Sequence, residues 1–165
     1  MMPITLKLFG FLPVIAFATT ASATDAEAPN ALVQWEADKT IAFDAGDIDL
    51  DEFKWAARPV IVFADSTNDP AFQRQIELLA TRSDELTERD VVLITDTDPE
   101  ARSDLRTKLR PRGFMLTLIG KDGGVKLRKP FPWDVRELTR QIDKMPMRRQ
   151  EIIDAKEAAR SAGGE

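Results

Sequence analysis

Neither cysteine nor histidine occurs anywhere in the 165-residue sequence. Without a thiol the chain forms no disulfide, runs no thiol–disulfide exchange and offers no thiolate to a metal. Without an imidazole it lacks the usual general base and the commonest metal ligand at neutral pH. No G-x-S-x-G elbow surrounds a serine, and no glycine-rich phosphate loop is present, since Gly123-Gly124 belongs to a turn signal. Ser66 and Thr67 would have only Lys121 or Lys126 as a base, so no covalent mechanism and no catalytic residue is expected. Long apolar runs are missing too. The longest, residues 8–18 (LFGFLPVIAFA), falls well short of the roughly 20 residues that span a bilayer.

That short run has the form of an export signal. Lys7 precedes it, Pro13 interrupts it, and Ala21-Ser22-Ala23 fits the small-x-small cleavage pattern. Residues 1–23 are therefore expected to be removed, leaving a periplasmic or secreted protein of about 140 residues with no transmembrane segment, the size of one domain. An oxidising compartment permits disulfides, yet this chain has none to form, so stability must come from burial. With 43% hydrophobic residues, including 3 Trp and 9 Phe, one sufficient core can be built.

Charge is divided along the chain. Residues 24–104 carry 20 acidic and 7 basic side chains, whereas residues 105–150 carry 13 basic and 4 acidic ones, within a net charge of -5. Either two faces of one domain complement each other, or the basic part meets an anionic partner such as a phospholipid headgroup, a cell-wall polymer or another protein. Nucleic acid is not expected, because aromatic residues do not interleave with the basic ones.

The pattern of apolar residues places the elements. After a leader (residues 24–30), the stretches ALVQW and TIAF suggest a peripheral strand or two, and residues 47–53 suggest one short helical turn. Residues 59–64 (PVIVFA) read as a strand buried on both faces. Asp69-Pro70 pairs an N-cap with a first helical proline, and Phe72, Ile76 and Leu79 then mark one helix face. Residues 91–95 (VVLIT) give a second buried strand. Asp98-Pro99 repeats the helix start, with Ala101, Leu105 and Leu109 on one face and Pro111 as the stop. Residues 115–119 and 125–128 flank Lys121-Asp122-Gly123-Gly124, a hairpin signal. Residues 133–144 form a helix broken by Pro146, residues 147–160 a second, polar one, and residues 161–165 a frayed tail. The outcome is an α/β domain over residues 53–160, with a peripheral segment over 24–52. A βαβ unit is followed by a β-hairpin and a covering helix.

The stretches PVIVFADSTNDPAF and MLTLIGKDGGV resemble the thioredoxin/peroxiredoxin fold, a three-layer fold with a mixed sheet. Thr67-Asn68-Asp69-Pro70 falls near the position of that fold's redox motif, and Met115 falls where it places a cis-proline. Nucleophile and groove-shaping proline are absent together, so redox activity is not carried over. More closely, FKWAARPVIVFA, Glu88-Arg89-Asp90, LIGKDGGVKLR and IDKMPMRRQE resemble the bacterial domain-of-unknown-function family 4174 across residues 53–151. That resemblance implies an exported, peroxiredoxin-like fold and brings no established activity or site.

Three groups of residues are candidates for function. The loop Asp65, Ser66, Thr67, Asn68 and Asp69 follows the first buried strand, at the sheet edge where open α/β folds bind ligands. Asp65, Asp96 and Asp98 would hold a hard cation such as Mg²⁺ or Ca²⁺ if their oxygens converged, allowing metal-assisted hydrolysis; otherwise they serve as caps and loop acceptors. Arg110, Arg112, Lys126, Arg128 and Arg148 would bind an anion, with Lys126 and Arg128 on one strand face. Otherwise these cations line solvated rims over Phe131, Trp133 and Met147. No cofactor is expected. The reading favoured is an exported, non-redox binding module for a protein or an anionic envelope component, with the metal-assisted hydrolase as the alternative.

Overall fold

Every residue of the stretch 58–63 is buried, and a strand buried on both faces needs pairing on each side and a layer above and below. The computed structural model describes residues 30–163, and in it both needs are met. In chain order the elements are α1 (Ala31–Ala37), β1 (Ala42–Asp44), β2 (Arg58–Phe63), α2 (Pro70–Ala80), α3 (Ser83–Thr87) and β3 (Val91–Asp96). They continue with α4 (Asp104–Leu109), β4 (Met115–Ile119), β5 (Val125–Lys129), α5 (Val135–Asp143) and α6 (Pro146–Ala162). Single 3₁₀ turns lie at Leu50–Phe53 and Pro99–Ala101. The expected signal segment and most of the leader lie outside the described residues.

The five strands form one sheet in the order β1-β3-β2-β4-β5. β1 and β2 run parallel to β3, β4 runs antiparallel to β2, and β5 closes the hairpin. Alternation along β2 sends Ile61 and Phe63 to one face and Val60 and Val62 to the other. On the first face they join Trp35, Phe53, Leu105 and Leu109; on the second, Leu79, Leu138 and Ile142. Helices α1 and α4 thus cover one side of the sheet, and α2, α3 and α5 the other. This is the expected α/β three-layer arrangement, with a βαβ unit followed by a hairpin and a covering helix. Asp69 caps α2 through the amides of Ala71 and Phe72, and Asp134 caps α5 through that of Arg136. Gly123, at φ 78, takes the left-handed position that the hairpin turn requires.

Three local expectations are corrected. ALVQW is not a strand but helix α1. Asn30 accepts from the Val33 amide, and Ala31 and Trp35, four residues apart, share the buried face. The Trp35 indole also donates to the Val91 carbonyl at 3.3 Å. Second, the Asp98-Pro99 start yields only a 3₁₀ turn, which ends at Arg102 in the left-handed region (φ 49). The helix proper begins afresh, capped by Ser103, so Leu105 and Leu109 are buried while Ala101 is exposed. Third, Lys126 and Arg128 do not share a face. Leu118 pairs with Leu127 but Ile119 with Val125, which leaves Lys126 as the extra residue of a bulge. Helix α3 was not foreseen, its five residues being too few to show a period.

The segment before residue 49 closes one face of the sheet rather than trailing from it: Trp35 is only 2% exposed and packs with Phe53, Val92 and Ile94. Trp35→Ala should therefore lower the unfolding free energy by about 3–5 kcal/mol, as read by urea titration. A loss below about 0.5 kcal/mol would mean that α1 is not part of the core.

Candidate functional site

Parallel β2 and β3 end side by side, and the edge they form is where an open α/β sheet usually presents its chemistry. Here a single guanidinium occupies it. Arg106, in the first turn of α4, donates Nε and Nη2 to Asp96 Oδ1 at 3.0 and 2.7 Å and Nη2 to the Ala64 carbonyl at 2.7 Å. Its Cζ lies 5.6 Å from the Phe63 ring centroid. Ser103 donates its hydroxyl to Asp96 Oδ2 at 2.5 Å while accepting from the Arg106 amide. Asp96, 3% exposed, thus has both oxygens occupied.

The other two candidate metal ligands are elsewhere employed. Asp98 caps the 3₁₀ turn through the amides of Glu100 and Ala101. Asp65 is exposed and reaches Arg106 at 3.5 Å. The three carboxylates do not converge, and among the described residues no group of three or more acidic side chains could hold a metal ion. The loop Ser66, Thr67, Asn68 and Asp69 is a solvent-facing turn in which Ser66 Oγ accepts from the Asn68 amide at 3.1 Å. Neither candidate lysine base belongs to this edge: Lys121 binds Asp90 and Glu151, and Lys126 binds Asp122.

Of the five candidate anion-binding residues, three come together. Arg110, Arg112 and Arg128 line a pocket of about 280 Å³ with Phe114, Met115 and Pro130. Arg110 terminates α4 in the left-handed conformation (φ 50), which turns the chain toward Arg112. Arg128 donates to the Leu109 carbonyl at 2.8 Å, so it also caps that helix. No acidic side chain lines the pocket, and among the described residues neither Arg110 nor Arg112 is in an ion pair. Met115 borders the pocket and pairs with Phe63 at the end of β2, next to the edge just described.

Lys126 and Arg148 lie at the opposite end of the sheet, in a cluster that the sequence reading did not assemble. Arg58 opens β2 and is 1% exposed. It donates Nη1 to the Arg89 carbonyl at 2.9 Å and Nη2 to Glu151 Oε1 at 2.8 Å. Lys121 bridges Glu151 and Asp90 at 2.9 and 2.8 Å, and Lys39 holds the other Asp90 oxygen at 2.6 Å. Arg148 reaches Glu88 at 3.1 Å and Glu151 at 3.5 Å, while Arg89 pairs bidentately with Asp143. Trp55, left-handed at φ 69, donates its amide to the Lys121 carbonyl at 2.7 Å and so ties the hairpin turn to the approach of β2. Burial opposes the charge on Asp90 and on Glu151. Hydrogen bonds from Lys121 to both, from Lys39 to Asp90 and from Arg58 to Glu151 outweigh it, and hold both carboxyls below their ordinary range. The signal available in the sequence was the set of family-like segments. Arg58, Arg89, Lys121, Asp143, Arg148 and Glu151 all lie within FKWAARPVIVFA, Glu88-Arg89-Asp90, LIGKDGGVKLR and IDKMPMRRQE.

Comparison with known proteins places these features. The family described as "Domain of unknown function (DUF4174)" matches residues 49–151. Among solved structures, the reduced 2-Cys peroxiredoxin of Plasmodium vivax aligns at a TM-score of 0.50 and 14% identity, over 58% of this chain and 81% of that one. Reduced desulfothioredoxin from Desulfovibrio vulgaris Hildenborough aligns at 0.47 and 20% identity, over 64% and 97%. Thioredoxin peroxidase I of Plasmodium yoelii aligns at 0.47 and 17%, over 58% and 76%. The similarity is one of fold.

A carboxyl held below its unfolded pKa contributes stability that is complete above the unfolded value and lost as pH falls through the folded one. For Asp90 and Glu151 the ordinary values are 3.8 and 4.5. Asp90→Asn should be less stable than wild type at pH 7, and the two should converge as pH falls below about 3.8 toward the lower value that Asp90 has in the fold. Urea unfolding at stepped pH measures this; parallel curves down to pH 3 would contradict it.

Proposed function

The chain belongs to the DUF4174 family and carries a thioredoxin-like fold without a thiol, and from this premise we propose that it is a non-redox binding module for an anionic partner. The observation that carries the reading is the pocket of Arg110, Arg112 and Arg128. Three exposed arginines line about 280 Å³ with no acidic residue among the lining. Guanidinium forks suit carboxylate and phosphate oxygens, and Phe114, Met115 and Pro130 supply an apolar floor.

The Arg106–Asp96 pair supports a binding role over hydrolysis. A carboxylate already bound by a guanidinium and a hydroxyl is poorly placed to receive a cation. The pair also braces the strand ends against which the arginine pocket is built. The reading extends to location: the signal-like residues 1–23 would deliver the domain to the periplasm or outside the cell, where anionic envelope components or an anionic protein surface are the available partners. No helix among the described residues is long and apolar enough to cross a membrane.

The test is calorimetric titration with inorganic polyphosphate, a linear polyanion, at two salt concentrations. Binding should weaken as salt rises. Arg110→Glu/Arg112→Glu should weaken it at least tenfold, and Lys126→Glu, at the other end of the sheet, should change it little. Equal affinity in wild type and the double variant would remove the arginine pocket as the site.

A further inference from the structure

A second site is built where α6 begins. The helix has 17 residues, so its aligned peptide dipoles leave roughly half a positive charge at its first turn, together with free amides. Its N-cap residue is Met145, which makes no side-chain capping bond. Pro146 follows, and the first turn contains no acidic residue. This end borders a pocket of about 210 Å³ lined by Arg58, Gly120, Lys121, Asp122, Lys126 and the run Met145-Pro146-Met147.

Arg58 supplies an independent observation. It is 1% exposed and its two terminal nitrogens are used, yet its buried Nε–H has no partner. A buried guanidinium N–H without an acceptor is costly, and such a group marks a place where an acceptor is missing. The charge balance indicates which kind. Lys39, Arg58, Arg89, Lys121 and Arg148 are five cations in the connected cluster, against four carboxylates from Glu88, Asp90, Asp143 and Glu151. Lys126 and Asp122 neutralise each other at 2.6 Å. One positive charge is left over, which suits a monoanion better than a dianion.

The remaining wall is apolar. Met145 and Met147 flank the pocket, and Met147 is 37% exposed. Methionine is flexible and polarizable, and it moulds to apolar ligand bodies of varied shape. We propose that this pocket binds a small monocarboxylate with an apolar body, its carboxylate at the α6 amides beside Arg58 and Lys121 and its body between Met145 and Met147. The site is separate from the arginine pocket and does not depend on it.

The experiment is a titration of the ¹⁵N-labelled full chain with hexanoate, followed through the backbone amides. Hexanoate should shift the amides of Met147 and Arg148 and those of the hairpin turn 120–124. Hexanol and sulfate, which keep only the body or only the charge, should bind at least tenfold more weakly. Met147→Glu places a carboxylate at the helix start; it should weaken hexanoate, read at the amides of Arg148 and 120–124, at least tenfold without lowering the melting temperature, whereas Lys156→Glu, on the exposed later turns of α6, should leave that affinity unchanged. N-acetyl-leucine binding more tightly than hexanoate would support the same chemistry and assign its source to peptide C-termini. Sulfate binding as tightly as hexanoate, shifts elsewhere only, or full affinity in Met147→Glu would each overturn the proposal.

Discussion

Taking one guanidinium almost wholly out of water constrains this fold more than any other single act. Arg58 precedes Pro59 at the opening of the central strand, where the proline ring forces an extended backbone. Its side chain is then only 1% exposed, at the wall of the pocket beside α6. A charge so placed is tolerated only when paired and hydrogen-bonded, and its partners come from distant parts of the chain. The Arg89 carbonyl fixes the start of β3, and Glu151 draws the second turn of α6 against the sheet. Lys121 shares Glu151 and so brings in the hairpin turn. Four separated segments are thereby held at one end of the domain, among them those that carry the family likeness.

The two ends of the sheet have been given different work. At the end where a thioredoxin-like domain would hold its cysteines, Arg106, Asp96 and Ser103 form a closed set of hydrogen bonds, and the neighbouring pocket is ringed by arginine. At the opposite end, the Arg58 cluster sets the start of α6 beside the hairpin. The charge split seen along the chain resolves accordingly. Arg106 with Asp96, Lys121 with Asp90 and Arg148 with Glu88 each join the basic part to the acidic part. Among the basic residues that these pairs leave over, Arg110 and Arg112 face solvent.

Much of the architecture was legible in the sequence because its signals are local. The β-branched run at 59–64, the Asp69-Pro70 start and the Asp-Gly turn act over a few residues, and the structure follows them. Helix α1 escaped because seven residues with one buried aromatic look alike under either period, and Asn30 as a cap was the only discriminating feature. The second helix was misplaced because Asp98-Pro99 and Ser103 are both valid starts, and only packing of Leu105 decides between them. Lys126 left its expected face because a bulge depends on the partner strand, which alternation along one strand cannot report. The Arg58 cluster is the extreme case: Arg58 and Glu151 are 93 residues apart, and no spacing rule joins them.

The claim that the Arg58–Glu151 pair couples the sheet to α6 is tested most directly by a double-mutant cycle. Urea unfolding at pH 7 would be measured for wild type, Arg58→Met, Glu151→Met and the double variant. Arg58→Met leaves Glu151 to Lys121 and Arg148 alone, and Glu151→Met leaves the buried Arg58 with only the Arg89 carbonyl, whereas the double variant removes both charges. The expected result is that the double variant loses less than the sum of the singles, by about 1–3 kcal/mol. Additivity within about 0.5 kcal/mol would mean that the two groups act independently, and that α6 is held in place by something other than this pair.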